Sequence, residues 1–227
     1  QYFAAWTDDD GGGHPNPFGD GVLENGAHIC AWALSYLDVE VDYGRWMSVA
    51  PLLERYKFAG FINDPTITPL DFLESEIIPF LPISLYQGEK GIFPIVDLAL
   101  LSDDLEAQWE IEADREFYRD SPIETIFSLD KCCNAFDLSY AYDMRKGSYT
   151  STVQIDPAYK RFTWGRFSTD YATTSLELYG RKAQQKEARF VFDFKTAIQI
   201  SKGYVRARSL PRRQIKYSAN PDFGFLQ

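Results

Sequence analysis

The fold is decided by the stretch "NAFDLSYAYD", residues 134–143, in which apolar and polar side chains alternate. Successive side chains of a β-strand point to opposite faces of a sheet, so this period predicts a half-buried strand with one wet face. The same period continues downstream, and we therefore expect a second antiparallel strand beside the first. The apolar members of the first strand are Phe136, Leu138, Tyr140 and Tyr142, and the second strand is represented by Tyr149, Ser151, Val153 and Ile155.

One helix is predicted after these strands, at about residues 194–209. Asp193 is a suitable N-cap, and Leu210-Pro211 ends the helical pattern. The stretch "RRQIKYS", residues 212–218, then reads as a further strand. The side of the helix that we expect to be buried carries Ala197, Ile198, Ser201, Tyr204, Val205 and Arg208.

The first part of the chain predicts helices and a hairpin. Apolar residues from Leu23 to Leu37 recur at steps of three and four, which indicates a helix, and a short helix at 41–56 is interrupted at Pro51. Thr68 caps a third helix, whose apolar stripe is Leu70, Leu73, Ile77 and Phe80 or Leu81. "KFAGFIND", residues 57–64, is expected to be a strand, and "ISLYQGEKGIFPIV", residues 83–96, a Gly-bounded hairpin.

The predicted fold class is therefore α+β, rich in antiparallel strands with a few packed helices. We expect two subdomains, a helix- and hairpin-containing part at 1–130 and a β-rich part with one helix at 131–227. No apolar run approaches the roughly 20 residues that a membrane helix needs. Because the chain has no initiator Met and stops on "NPDFGFLQ", we also expect it to be a segment of a longer polypeptide.

Charge is distributed unevenly along the chain, whose formal net charge is −10. Residues 1–180 contain 12 Lys+Arg and 30 Asp+Glu, whereas residues 181–227 contain 11 and 3. Nucleic-acid binders are usually basic overall, so an acidic body with one basic face favours docking between subunits. The basic residues near the end of the chain also do not alternate with exposed aromatic side chains, on which the bases of a single-stranded nucleic acid would stack. The candidate interface residues are Arg206, Arg208, Arg212, Arg213 and Lys216.

Catalytic and metal-binding patterns are weak. "DDDGGG", residues 8–13, has contiguous carboxylates without the distal Glu of a calcium loop. Glu110, Glu112 and Asp114 alternate along a predicted strand, which suits a solvent-facing surface better than two opposed glycosidase acids. With two His, no C-x-x-C pair and no nucleophile motif, we predict no catalytic residue, metal or cofactor, and we expect the three cysteines to be buried, reduced thiols.

The order of motifs resembles the tail-tip or baseplate hub proteins of tailed bacteriophages and gene-transfer agents. The similarity begins with the Gly-rich loop and helix "GGGHPNPFGDGVLENGAHICAWAL" and continues through "VDYGRW" and "RYKFAGFINDPTITPLDFLESEIIPFLPISLYQGEKGIFPIV". It ends with the Asn-x-Phe-x-Leu-x-Tyr strand "NAFDLSYAYD" and with "SLELYGRKAQQKEARFVFDFKTAIQISKGYVRARSLPRRQIKYS". The matching motifs span about residues 11–218, and such proteins normally continue into a further β-barrel segment.

This resemblance implies barrel- or sandwich-like hub domains and a structural role in a virion, made in the host cytoplasm. A homotrimeric ring would join the tail tube to the central spike or fibres. Its partners would be distal tail and tube proteins and tape-measure protein, and DNA would pass through its channel without specific binding. Two alternatives remain open: a virion-associated or secreted carbohydrate-active enzyme, based on the acidic strand at 107–114, and a receptor- or carbohydrate-binding module, based on the five Trp.

Overall fold

The computed structural model describes residues 23–37, 39–60, 62, 66–97, 124–127, 129, 131–159, 165–211 and 213–216. For residues 124–127 and 213–216 it describes the backbone. The architecture is mixed α+β, as expected from the sequence. The described strands form two two-stranded sheets and one four-stranded sheet, and none of these sheets closes into a barrel.

The described residues between 23 and 97 form three helical segments and a hairpin. Helix α1 is Gly26–Ser35, and α2 is Tyr43–Val49 with a 3₁₀ turn at Ala50–Leu53. Helix α3 begins at Pro69, and strands β1, Ile83–Gly88, and β2, Gly91–Val96, form the predicted hairpin. At Gly91 the hairpin packs against the backbone of Glu40. The φ of Gly91 is 113°, and a Cβ there would lie 2.3 Å from the Glu40 carbonyl carbon, so only glycine fits this position.

Helix α3 begins as predicted and buries the predicted stripe except for Leu70. Thr68 caps it by accepting a hydrogen bond from the Asp71 N–H. The α-helical turn Pro69–Phe72 widens into a π-helical segment at Leu73–Ile77 and ends in a 3₁₀ turn at Ile78–Phe80. Pro79 lacks the N–H that continued α-helical pairing would need, and its ring would crowd the preceding turn. The expectation that Leu70 is buried was wrong, since it is 41% exposed; the buried residues are Phe72, Leu73, Ile77, Phe80 and Leu81.

The predicted strand at 57–64 is not present among its described residues. Lys57 forms one isolated bridge with Asn25. The next two N–H groups then donate to different segments, Phe58 to the Glu24 carbonyl and Ala59 to the Phe190 carbonyl, each at 2.8 Å. A strand needs a continuous ladder with one neighbour, and this segment instead connects two neighbours.

The four-stranded sheet has the order β6-β5-β4-β7, with β4 at Ala135–Asp143, β5 at Ser148–Ile155, β6 at Arg166–Phe167 and β7 at Ala183–Glu187. Strands β4 and β5 are antiparallel and alternate as the sequence predicts. The sequence did not predict the two outer pairings, in which β7 pairs with β4 and β6 with β5 in parallel. Parallel neighbours need a crossover, which the alternation of a single strand does not reveal.

The described residues of the second part contain two helices, not one. Helix α4, Asp170–Tyr179, was missed, and α5, Phe194–Arg208, agrees with the predicted 194–209. Thr169 caps α4 through the Ala172 N–H at 3.3 Å. The helix is rich in Thr and has few apolar residues, so its periodicity is weak. Helix α5 covers β4 and β5, with Ala197 and Val205 completely buried between them.

One hydrophobic core includes residues from both predicted subdomains. Trp46, Phe58 and Phe72 from the first part belong to the same buried cluster as Phe136 and Val205 from the second. Burial of an aromatic or large aliphatic side chain stabilises a fold by about 1.5–3 kcal/mol. The described parts of the two subdomains therefore do not have separate cores. The remaining sheet pairs β3, Glu124–Phe127, with β8, Arg213–Lys216, and so confirms the strand expected after α5.

Candidate functional site

Asn134 connects two of the motifs that carry the family resemblance. Its Nδ2 donates to the Gly180 carbonyl at 2.7 Å and to Ser175 Oγ at 3.2 Å, and its Oδ1 accepts from the Lys182 N–H at 2.7 Å. Ser175 and Gly180 are the ends of the Ser-x-x-x-Tyr-Gly element, and Asn134 begins the Asn-x-Phe-x-Leu-x-Tyr strand. Asn134 and Ser175 are completely buried, so both polar side chains serve internal structure.

A second motif, Asp-x-x-Thr-Ala at the start of α5, joins two segments that are far apart in the chain in the same way. The Asp193 carboxylate caps the helix by accepting from the Thr196 N–H at 2.8 Å. Thr196 Oγ1 donates to the Arg55 carbonyl at 3.1 Å and accepts from the Lys57 N–H at 3.2 Å. Since Thr196 is completely buried and its hydroxyl bonds to a distant segment, the motif acts as a structural joint.

One residue of the basic surface predicted as an interface, Arg208, makes contacts within the molecule. The Arg208 guanidinium lies 3.9 Å from the centroid of the Tyr204 ring. That ring stacks on Phe136 at 4.3 Å, and the Tyr204 hydroxyl donates to Gln184 Oε1 at 2.7 Å. Arg208 is therefore a half-buried packing residue as well as a cation.

The other candidate interface residues do not form one described cluster. Arg206 and Arg208 lie in the last turn of α5, where positive charge stabilises the helix dipole. Arg213 and Lys216 are the ends of β8, opposite Phe127 and Glu124 respectively. Arg212 lies outside the described residues. Whether these five residues meet another subunit thus stays a prediction.

The buried thiols expected from the sequence are confirmed. Cys30, Cys132 and Cys133 are free and at most 4% exposed. Burial raises the pKa of the Cys133 thiol to about 11, with Arg208 opposing part of that shift. In the part of the chain that the structure describes, no three His, Cys, Asp or Glu side chains come together as a metal site, and no helix is long and apolar enough to cross a bilayer.

A polar groove of about 650 Å³ lies at the far end of β4 and β5 from Asn134. Its floor contains Tyr142 and Tyr149, which are cross-strand partners with ring centroids 5.1 Å apart. Its charged lining residues are Glu76, from the widened turn of α3, and Glu187 and Arg189, from the end of β7 and the turn after it. The sequence did not predict this cluster, because its members come from three distant segments.

The groove residues interact electrostatically. Burial raises the pKa of Tyr149 to about 12, and the charges of Glu187 and Glu76 and a hydrogen bond to Glu187 act in the same direction. Burial also raises the pKa of Glu76, against an opposing effect from Arg189. The Arg189 guanidinium lies 5.1 Å from the Tyr142 ring centroid. Two carboxylates, one guanidinium and two phenols thus share one open surface.

Several sequence-based candidates lie outside the described residues. These are the loop "DDDGGG", the acidic strand with Glu110, Glu112 and Asp114, and three of the five tryptophans, Trp6, Trp109 and Trp164. Of the other two, Trp46 is completely buried and its Nε1 donates to the Ile92 carbonyl at 3.1 Å. Trp32 is half-buried and packs edge-on against Tyr36. These two rings serve packing better than sugar stacking.

No protein-family model matches this chain, and neither a curated protein nor a solved structure does so. The resemblance to tail-tip hub proteins therefore depends on the sequence motifs alone and stays a prediction.

Proposed function

We propose that this chain is a structural subunit of a bacteriophage or phage-like tail tip. Three copies would form a hub ring between the tail tube and the central spike or fibres, around the channel for tape-measure protein and DNA. The observation that carries the proposal is the role that the motifs similar to those of hub proteins have in this fold. Their polar residues, Asn134, Ser175, Asp193 and Thr196, form internal hydrogen bonds between segments far apart in the chain.

Internal hydrogen bonds of this kind suit a rigid subunit in the wall of a ring. A hub must keep its shape while other proteins assemble on it, and buried, satisfied polar networks specify one arrangement of the segments they join. In the region that is described, these networks tie β4 to the end of α4, and α5 to the segment that follows α2.

The uneven charge supports association between copies. An acidic body with net charge −18 over residues 1–180 and a basic region with net charge +8 over residues 181–227 would attract each other across a head-to-tail ring interface. A lumen that is acidic or neutral would also let DNA pass without being held. A virion location and partners in the tail follow from this proposal.

The mass of the purified assembly tests the proposal. We expect native mass spectrometry and sedimentation to give three times the chain mass of 26.0 kDa. The double substitution Arg212→Glu and Arg213→Glu should shift the species toward monomer at low salt, with a smaller difference at high salt, where charges are screened. A wild-type chain that remains monomeric at all concentrations would overturn the trimer.

A charge-matched control separates the interface from net charge. Arg145→Glu with Lys146→Glu makes the same change on the exposed β4–β5 turn. We expect this control to assemble like the wild type. Equal loss of assembly in both double variants would assign the effect to overall charge and would contradict the basic surface as the interface.

A further inference from the structure

The polar groove formed by Tyr142, Tyr149, Glu76, Glu187 and Arg189 has no part in the internal networks described for the hub motifs. It is open to solvent, and its volume of about 650 Å³ lies within the roughly 300–1,000 Å³ range of small-molecule sites. Glu187 is exposed, and Glu76, Tyr142 and Tyr149 are half-buried, so their functional groups border the open space.

Two residues beside the groove have uncommon backbone conformations. Gly147, in the β4–β5 turn, has φ 63°, in the left-handed region that favours glycine. Ala141, directly before Tyr142, has φ 55°, a left-handed conformation that non-glycine residues rarely adopt. Its N–H donates to the Val191 carbonyl at 2.8 Å, and its carbonyl accepts from Thr150 Oγ1 at 2.9 Å. Uncommon backbone conformations of this kind concentrate at ligand sites.

The charged side chains that line the groove are two carboxylates and one guanidinium, a net charge of −1. Glu76 and Glu187 would repel a phosphate, sulfate or carboxylate, and Arg189 offsets one of the two carboxylates, so that a cation would be attracted by only one net charge at an open, water-screened surface. A neutral ligand with many hydroxyl groups meets no such penalty. Each of its hydroxyls both donates and accepts, so carboxylates can accept from it, the guanidinium can donate to it and phenols can do either.

We propose that this groove binds an uncharged oligosaccharide. The sugar hydroxyls would hydrogen-bond to Glu76, Glu187 and Arg189, and the apolar C–H surface of a ring would pack on Tyr149. This site is separate from the proposed subunit contact at the basic region. Oligosaccharide binding in the groove therefore does not depend on the trimer, and either proposal can fail without the other.

Calorimetric titration of the whole chain with three neutral probes, maltohexaose, cellohexaose and chitohexaose, tests the proposal. We expect saturable binding of at least one probe. Glu187→Gln and Tyr149→Phe should each weaken that binding about tenfold or more, because the first replaces a charged acceptor by a neutral amide and the second removes a hydroxyl. Both variants remove few atoms, and unchanged thermal unfolding midpoints would show that the fold is intact.

Matched controls make the result specific. Glu177→Gln on α4 and Tyr86→Phe on β1 make the same chemical changes at exposed positions outside the groove, and should bind like the wild type. The proposal is overturned if none of the three probes binds at about 10 mM, a concentration that reveals even weak sites. It is likewise overturned if groove and control variants weaken binding equally, or if oligolysine binds the groove in place of the sugars.

Discussion

Removal of the Asn134 side chain should destabilise the protein more than almost any other single polar truncation that the structure shows. Asn134→Ala eliminates three hydrogen bonds, two donated by Nδ2 and one accepted by Oδ1. Ser175 Oγ is completely buried and would lose one partner. The Gly180 carbonyl and the Lys182 N–H would lose theirs as well, although both residues are exposed enough for water to reach them.

The expected magnitude follows from these environments. A typical internal hydrogen bond contributes about 1 kcal/mol net, and an unpaired buried group costs about 1–3 kcal/mol. Because water can reach the Gly180 carbonyl and the Lys182 N–H, the loss of each of these hydrogen bonds should cost about 1 kcal/mol. Together with the bond to Ser175, the three losses amount to about 3 kcal/mol. Since a domain is stable by about 5–15 kcal/mol, the variant should fold but with a much reduced margin.

Urea unfolding followed by Trp fluorescence measures the effect, with the free energy obtained by linear extrapolation. Ser175→Ala removes one of the three hydrogen bonds and should cost about 1 kcal/mol. Gln87→Ala, on exposed β1, should stay within about 0.5 kcal/mol of the wild type. If Asn134→Ala costs no more than Ser175→Ala, the motif does not act as the joint between β4 and α4.

Two further predictions concern titratable groups. Glu187→Gln should lower the pKa of Tyr149 from about 12 toward its ordinary 10.0, because it removes a nearby negative charge. Burial and, after it, the Glu187 interaction raise this pKa, so the stability linked to the neutral phenol is fully present below pH 10 and is lost as the pH rises through about 12. An unchanged NMR titration of the Tyr149 ring in the variant would contradict the contact with Glu187. The buried thiols of Cys30, Cys132 and Cys133 should react with a disulfide reagent only after unfolding. Fast reaction of the native chain would contradict their burial.

The predicted tail-tip role and the predicted sugar groove draw on different parts of the molecule. The first depends on motifs whose polar residues hold distant segments together, and on a charge difference along the chain. The second depends on side chains that remain at an open surface beside the turn of β4 and β5. A tail tip that also bound a glycan would contact a cell surface as well as its neighbours in the particle, and each property has its own assay.

The local elements could be predicted from the sequence alone because each depends on residues close together in the chain. Alternation in "NAFDLSYAYD" predicted β4, and Asp193 and Leu210-Pro211 bounded α5 correctly. Thr68 and Pro69 likewise marked the start of α3. A strand period, a cap and a helix stop are short-range properties, so one stretch of chain contains the whole signal.

The tertiary structure alone decided how these elements meet. The parallel pairing of β7 with β4, the three partners of Asn134 and the widened turn that brings Glu76 to the groove all join residues far apart in sequence. Such contacts depend on which faces bury one another once the chain has folded, and no local pattern specifies that choice. The sequence could therefore predict a sheet and a covering helix, but the groove exists only because three distant segments end at the same edge.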